Sequence, residues 1–257
     1  MESSTKSLVR SQFGANAENY AKSAIHAEGD SLRRLVELTQ PQPDWRALDI
    51  ATGAGHTAMA IAQHVTHVTA TDLTPRMLEV ASRLAQQRGL TNIAFQEASA
   101  EALPFADASF DLVTCRIAPH HFDDVPRFVA EVKRVLKRPG TFGLVDNIAP
   151  DSTQAADQLN RIEKARDPSH ARCLSVGEWL QLLRQNGFVV LHREVLDKDM
   201  DLEGWAGRMS VGADVLPQLR AMLWDQTPGL QDYLRTHEKD GVLKFNLEEA
   251  VFVARKP

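Results

Sequence analysis

Cysteine is scarce in this chain. Its 257 residues include two, Cys115 and Cys173. They form no C-x-x-C pair and have no metal-ligand spacing, so neither a metal centre nor a disulfide framework is expected. Two reduced thiols point to the cytoplasm. Basic charge is also short: 29 Lys and Arg stand against 34 Asp and Glu, a net charge of −5. Nucleic acid and anionic membranes need a basic face, and this balance does not supply one. The one basic run, Lys133-Arg134-Val135-Leu136-Lys137-Arg138, reads as the cationic last turn of a helix ending before Pro139-Gly140. No apolar run approaches the ~20 residues of a membrane span. The segment from Met1 to Lys6 lacks the apolar stretch of a secretory signal. Internal repeats and low-complexity linkers are missing too.

What is present is an alternation. A hydrophobic content of 43% with 25% charged residues fits a folded globular chain. The length suits one domain, 1–257, with a core that needs no cross-link. Leu32, Leu35, Val36 and Leu38 follow helical spacing until Pro41 and Pro43, so 1–43 reads as a helical N-terminal cap. Ala47-Leu48-Asp49-Ile50 is a short apolar strand entering a glycine-rich turn. Strands are then expected at 65–71, 93–95, 110–115 and 141–146, with helices at 57–64 and 126–136 between them. A further helix is capped by Thr74, opened by Pro75 and ended by Gly89. This rhythm predicts an α/β fold: a doubly wound, mostly parallel sheet covered on both faces, with a ligand crevice at the carboxyl ends of the strands. Residues 44–150 form that binding core.

The C-terminal half, 151–257, changes character. Helices are expected at 154–165 and 176–185 and a strand at 188–195. A largely helical stretch, 202–236, is broken at Pro217 and Pro228-Gly229, and 242–254 returns to strand. Residues 200–238 thus read as a helical insertion before the last strand, placed to act as a lid over the crevice. Trp205 and Trp224 suit such a lid or a dimer surface, which leaves a homodimer open.

The turn Asp49-Ile50-Ala51-Thr52-Gly53-Ala54-Gly55 carries most of the information. Gly53 and Gly55 let the backbone turn sharply and a ligand approach closely. Gly53 to Ala58 also satisfies the relaxed dinucleotide pattern G-x-G-x-x-A, with Asp72 downstream as the acidic ribose partner. NAD binding and an oxidoreductase are therefore the rival reading. Against it, Asp49 stands just ahead of the turn, where a carboxylate would oppose a pyrophosphate but suits a cationic ligand.

In order and spacing, five further segments join this turn: Thr71-Asp72-Leu73-Thr74-Pro75-Arg76-Met77-Leu78, Ala100-Glu101-Ala102-Leu103-Pro104-Phe105, Ser109-Phe110-Asp111-Leu112-Val113, His120-His121-Phe122 and a turn from Leu136 to Gly140. From about Phe13 to Asp146 the chain resembles the class I S-adenosylmethionine-dependent methyltransferases, those of ubiquinone and menaquinone biosynthesis above all. The resemblance implies a Rossmann-like, seven-stranded sheet, S-adenosylmethionine as cofactor and a small-molecule methyl acceptor. It implies that Ala51, Gly53 and Gly55 pack their backbone against the methionine end and ribose, and that Asp49 helps hold the ammonium. Asp72 would accept both ribose hydroxyls, since a carboxylate offers two acceptor oxygens. Leu73 and Met77 would lie on the adenine, with Ser99, Ala100 and Glu101 at its edge. Tyr20, with Phe13, would fold over the cofactor and touch its carboxylate, a role also open to Arg116.

Methyl transfer needs orientation and exclusion of water more than a nucleophile or metal. A base is needed only if the acceptor is protonated when it attacks. His121 is the candidate base, with His120 beside it for substrate; the alternative for His121 is to fix its loop. His170 and Arg172, in the polar junction 166–172, are placed at the mouth of the crevice as further substrate contacts. A non-catalytic binding protein with the same pocket is the third reading.

Overall fold

A computed structural model describes residues 4–21 and 29–257. Parts of the expected N-terminal cap, 1–3 and 22–28, lie outside the described residues. The chain opens with α1 (Ser4–Ala21) and α2 (Asp30–Thr39). An alternating core follows: β1 (Arg46–Ile50), α3 (His56–Ala62), β2 (His67–Asp72), α4 (Pro75–Gln87), β3 (Ile93–Glu97) and β4 (Phe110–Arg116). A 3₁₀ turn (Pro119–His121), α5 (Val125–Val135) and β5 (Leu136–Asn147) complete it. The second half holds α6 (Thr153–Arg166), α7 (Val176–Gln185), β6 (Val189–Asp201), α8 (Leu202–Gly207), α9 (Leu216–Trp224), α10 (Pro228–Leu234), β7 (His237–Lys239) and β8 (Val242–Lys256).

The strands form one sheet in the order β3-β2-β1-β4-β5-β8-β6, with β7 added on β8. The first five strands are mutually parallel, and β8 runs antiparallel between β5 and β6. The sheet is thus α/β and doubly wound, as the alternation requires. It has eight strands rather than seven because β7 is a three-residue, wholly exposed arm. Such a strand has no apolar alternation to betray it. Chain order reverses between β1 and β4, and there the adjoining loops part and leave a crevice.

Burial explains why the central strands read as apolar runs. The main core lies between the sheet and α5 and α7, around Leu48, Val113, Phe128, Phe142, Trp179 and Phe252, each 0% exposed. A smaller cluster of Ala58, Ile61, Val68 and Ala70 fills the α3 side. A third joins α6 and α8 to α10 to the start of β8.

Two local expectations are revised and one is refined. Helix α5 ends at Val135, and Leu136 to Gly140 belongs to β5 instead of a turn. Lys137, expected in the helix's last turn, sits on that strand and reaches Asp111 at 2.8 Å. The helical stretch is indeed interrupted just ahead of Pro217 and Pro228, and each proline sits in the first turn of the helix that follows, α9 and α10, where a missing N–H costs nothing. The Thr74 side chain makes no capping bond to α4.

Candidate active site

A cavity of about 1040 Å³, its open mouth included, lies at the carboxyl ends of β1, β2 and β4. Its floor is the turn after β1. Ala51 leaves that strand at φ +52°, and Ile117 leaves β4 at φ +54°. Left-handed backbone costs a non-glycine residue roughly 1–2 kcal/mol, and neighbouring bonds hold both turns in place. The Thr52 N–H donates to the Thr71 carbonyl at 2.8 Å, and the Ile117 N–H to the Val145 carbonyl at 2.8 Å. Two strained residues on adjacent strands at a switch point mark a site, because strain persists where surrounding structure fixes it.

The two glycines divide the work. Gly53, at φ +54°, lines the cavity, and a Cβ built on it meets nothing within 4 Å. Gly55, at φ +85°, does not line it. A Cβ there would stand 2.9 Å from Ala81 Cβ, so Gly55 lets α3 pack on α4. The sequence assigned Gly55 to the ligand; its geometry assigns it to helix packing.

Asp49 and Asp72 are both buried. The Asp49 oxygens accept the hydroxyls of Thr52 at 2.6 Å and Thr114 at 2.7 Å. Burial pushes its carboxyl up to about 6, against the pull of those bonds and of Arg116. Asp72 accepts the Gly53 N–H on one oxygen and the Thr74 N–H on the other, each at 2.8 Å. It therefore ties the turn after β1 to the start of α4, and burial raises its pKa. A carboxylate oxygen accepts more than one hydrogen bond, so acceptor capacity remains toward the cavity. Leu73 and Met77 line the wall beyond it, and Met77 is also core, 1% exposed against Ala54 and Val80.

Helix α1 closes the opposite side. Phe13 stands 5.4 Å from the Tyr20 ring and 5.0 Å, edge-on, from His121. The Tyr20 hydroxyl donates to Met209 Sδ at 3.3 Å, and burial raises its pKa to about 12. Ser210 Oγ donates to Asn16 at 2.8 Å. Through these contacts the 200–238 insertion braces α1, while contributing no residue to the cavity wall. Lys6 donates to Ser99 Oγ at 3.2 Å and pairs with Glu101. Ser99, Ala100 and Glu101 line the wall. The Glu101 carboxylate is also a fastener: it holds Lys6 and accepts the Asp124 N–H at 2.8 Å.

The histidines separate likewise. His121 lines the cavity. His120 is 4% exposed and lies off it, with Nδ1 2.5 Å from Asp146. His170, 1% exposed, donates from Nε2 to Asn160 Oδ1 at 2.8 Å. Arg172 is half exposed and pairs with Glu178 at 2.6 Å. The expected substrate contacts of His120, His170 and Arg172 are therefore not brought to the cavity. Arg116 is: it lines the wall and donates from Nε to Thr57 at 3.0 Å. The sequence reading missed Lys6, Thr52 and His56. His56 Nε2 faces the Tyr20 carbonyl at 3.2 Å and pins α1 over the turn. Its place directly after Gly55 was the available signal. Among the described residues no cluster could hold a metal ion.

Residues 48–144 match the family described as "Methyltransferase domain". The chain is 40% identical to the uncharacterized methyltransferase YcgJ of Bacillus subtilis, over 79% of this chain and 80% of that protein. It is 37% identical to the ubiquinone/menaquinone biosynthesis C-methyltransferase of Zymomonas mobilis, over 42% of this chain and 45% of that one. The crystal structure of a methyltransferase-like protein from Bacillus halodurans superposes with a TM-score of 0.84 at 35% identity, covering 88% of this chain and 98% of the other.

Proposed function

The chain belongs to the class I S-adenosylmethionine-dependent methyltransferases, and on that premise we propose that it methylates a small organic acceptor, using S-adenosylmethionine held at the carboxyl ends of β1 and β2. The carrying observation is the Gly53–Asp72 pair: an open backbone cradle joined to a buried carboxylate in the cavity wall. Asp72 would take the ribose hydroxyls. Asp49 and Arg116 would meet the ammonium and carboxylate ends, Leu73 and Met77 the adenine face, and Ser99 and Ala100 its edge. When bound, the cofactor supplies a methyl group on a sulfonium, already activated for displacement.

The chain's own work is orientation and dryness. Helix α1 covers the cavity with Phe13 and Tyr20, which excludes water and leaves room for a small acceptor beside His121. His121 takes the acceptor's proton. Burial and the neighbouring His120 pull its pKa down to about 3, so it is neutral at working pH. The acidic net charge and the lack of a basic block favour a small acceptor over nucleic acid. No helix among the described residues is long and apolar enough to cross a membrane, and both thiols are free and buried. A cytoplasmic enzyme suits both observations.

Calorimetry with S-adenosylhomocysteine and with NADH tests the cofactor half: heat from the first and none from the second is expected. The reverse result would return the site to a dinucleotide. Turnover of labelled S-adenosylmethionine over a panel of small hydroxyl, amine, thiol and carbon acceptors tests the rest. Transfer to RNA or protein alone would overturn the small-molecule reading.

A further inference from the structure

The segment 166–172 supplies no residue to the cavity, yet two of its side chains stand beside one that does. His121 Nδ1 lies 3.2 Å from the Ser169 carbonyl oxygen and 3.3 Å from Ser169 Oγ. A carbonyl oxygen only accepts, so Nδ1 must bear the proton. The Ser169 hydroxyl could compete by offering its own proton to Nδ1, but it is already committed. It donates to Asp167 Oδ1 at 2.6 Å, and the same oxygen takes the Ser169 N–H at 2.8 Å. A neutral imidazole has one ring proton, so Nε2 is left with a lone pair. Asp167 Oδ2 lies 3.9 Å from that nitrogen and, among the described residues, makes no hydrogen bond although it is buried. A buried carboxylate oxygen without a donor is costly. Here it faces the one atom that gains a proton if His121 acts as a base.

We propose that Asp167 and Ser169 are positioning residues for methyl transfer: together they hold His121 as the Nδ1–H tautomer, and Asp167 stands as counter-ion to the imidazolium formed when Nε2 accepts the acceptor's proton. This rests on the methyltransferase reading above. As the acceptor atom attacks the methyl carbon, its electron pair forms the new bond. The carbon–sulfur pair passes to sulfur and neutralises the sulfonium. The acceptor's proton moves to Nε2 and later to solvent. A histidine of such low basicity does not strip an acceptor beforehand. It receives the proton as the new bond makes the acceptor atom positive and strongly acidic, which fits a neutral N–H or O–H acceptor. Burial alone would raise the Asp167 carboxyl; His121, the Ser169 hydroxyl and Arg166 outweigh it and keep it ionised. Among the described residues, His120, His170 and Arg166 also stand around His121. Arg166 is engaged by Glu163 at 3.0 Å.

Long-range ¹H–¹⁵N correlation spectra of the ¹⁵N-histidine-labelled full chain read the tautomer without turnover, with His121→Gln assigning the signal. The expected spectrum shows neutral His121 protonated at Nδ1 from about pH 5 to 8. Asp167→Ala frees the Ser169 hydroxyl to donate to Nδ1, so the Nε2–H form should appear and kcat should fall at least about tenfold, but by no more than the roughly 10²–10⁴ that a base contributes in full. Asp167→Asn retains an oxygen for Ser169. It should keep the wild-type tautomer and lose kcat alone. A wild-type ring protonated at Nε2, or an Asp167→Ala spectrum like the wild type, overturns the proposal. Retained heat with S-adenosylhomocysteine in the same samples would show that the methyltransferase reading survives that failure.

Discussion

Replacing Gly53 and Gly55 singly by alanine separates ligand contact from packing. Both glycines have left-handed backbone, so each alanine costs about 1–2 kcal/mol for that alone. At Gly55 the new methyl also meets Ala81 Cβ at 2.9 Å, with Ala81 Cα at 3.4 Å. Neither atom belongs to a flexible chain end, so the helices must part. Overpacking of this kind adds about 1–3 kcal/mol. The total for Gly55→Ala is about 2–5 kcal/mol. In a domain of this size that lowers Tm by roughly 4–20 °C, against roughly 2–8 °C for Gly53→Ala. Affinity should rank the other way. The Gly53 methyl projects into the cavity wall where a ligand would lie, costing about 1–3 kcal/mol of binding, or roughly 5–150-fold in Kd. Gly55→Ala should bind nearly normally once folded. Thermal unfolding by circular dichroism and titration calorimetry with S-adenosylhomocysteine, both well below Tm, give the two rankings. If Gly55→Ala loses affinity more than Gly53→Ala while keeping its stability, the division of labour between the glycines is wrong.

Asp49 makes stability depend on pH with an unusual sign. Its folded pKa of about 6 lies above the ordinary 3.8, so between those values the folded chain holds a proton that the unfolded chain has released. The resulting penalty grows as pH rises from about 4 to 6 and stands at roughly 3 kcal/mol above that. Asp49→Asn should therefore raise Tm at pH 7.5 much more than at pH 4; equal shifts at both would refute the burial argument. A cationic ligand end favours the ionised form, so S-adenosylhomocysteine should bind more tightly as pH rises through about 6, and Asp49→Asn should flatten that profile in calorimetry. Glu101→Ala releases both Lys6 and the Asp124 N–H, and faster hydrogen exchange in α1 and around residue 124 is expected; unchanged protection would deny its fastening role. Arg172→Ala removes an exposed ion pair and should change stability by less than about 1 kcal/mol, with activity intact; a large loss of activity would restore Arg172 to the site.

Legibility followed the range of the interaction. The β1–turn–α3 unit could be read because it is local: an apolar strand, glycines at fixed offsets and an acidic residue at the next strand's end. Asp49, Gly53 and Asp72 all reach the cavity wall from neighbouring strands. Asp49 rests on Thr114, 65 positions away on β4, and that bond leaves no trace in spacing. In sequence, the polar junction 166–172 stands out by His170 and Arg172. Tertiary packing turned both of those away and set Ser169 against a histidine 48 positions earlier, with Asp167 beside it. The lid shows the same limit. Residues 200–238 carry a helical pattern, but amphipathicity says that a helix packs, not what it packs on. They pack on α6 and β8, and α1 lies over the cavity.

By itself the sequence determined the α/β class, the parallel core and the family, because apolar periodicity, glycine turns and strand-end carboxylates act over a few residues of chain. The tertiary structure decided which of two glycines lines the cavity, which of the three candidate histidines reaches it and which helix covers it. Each of those choices is settled by contacts between segments tens of residues apart, where no local pattern encodes the partner.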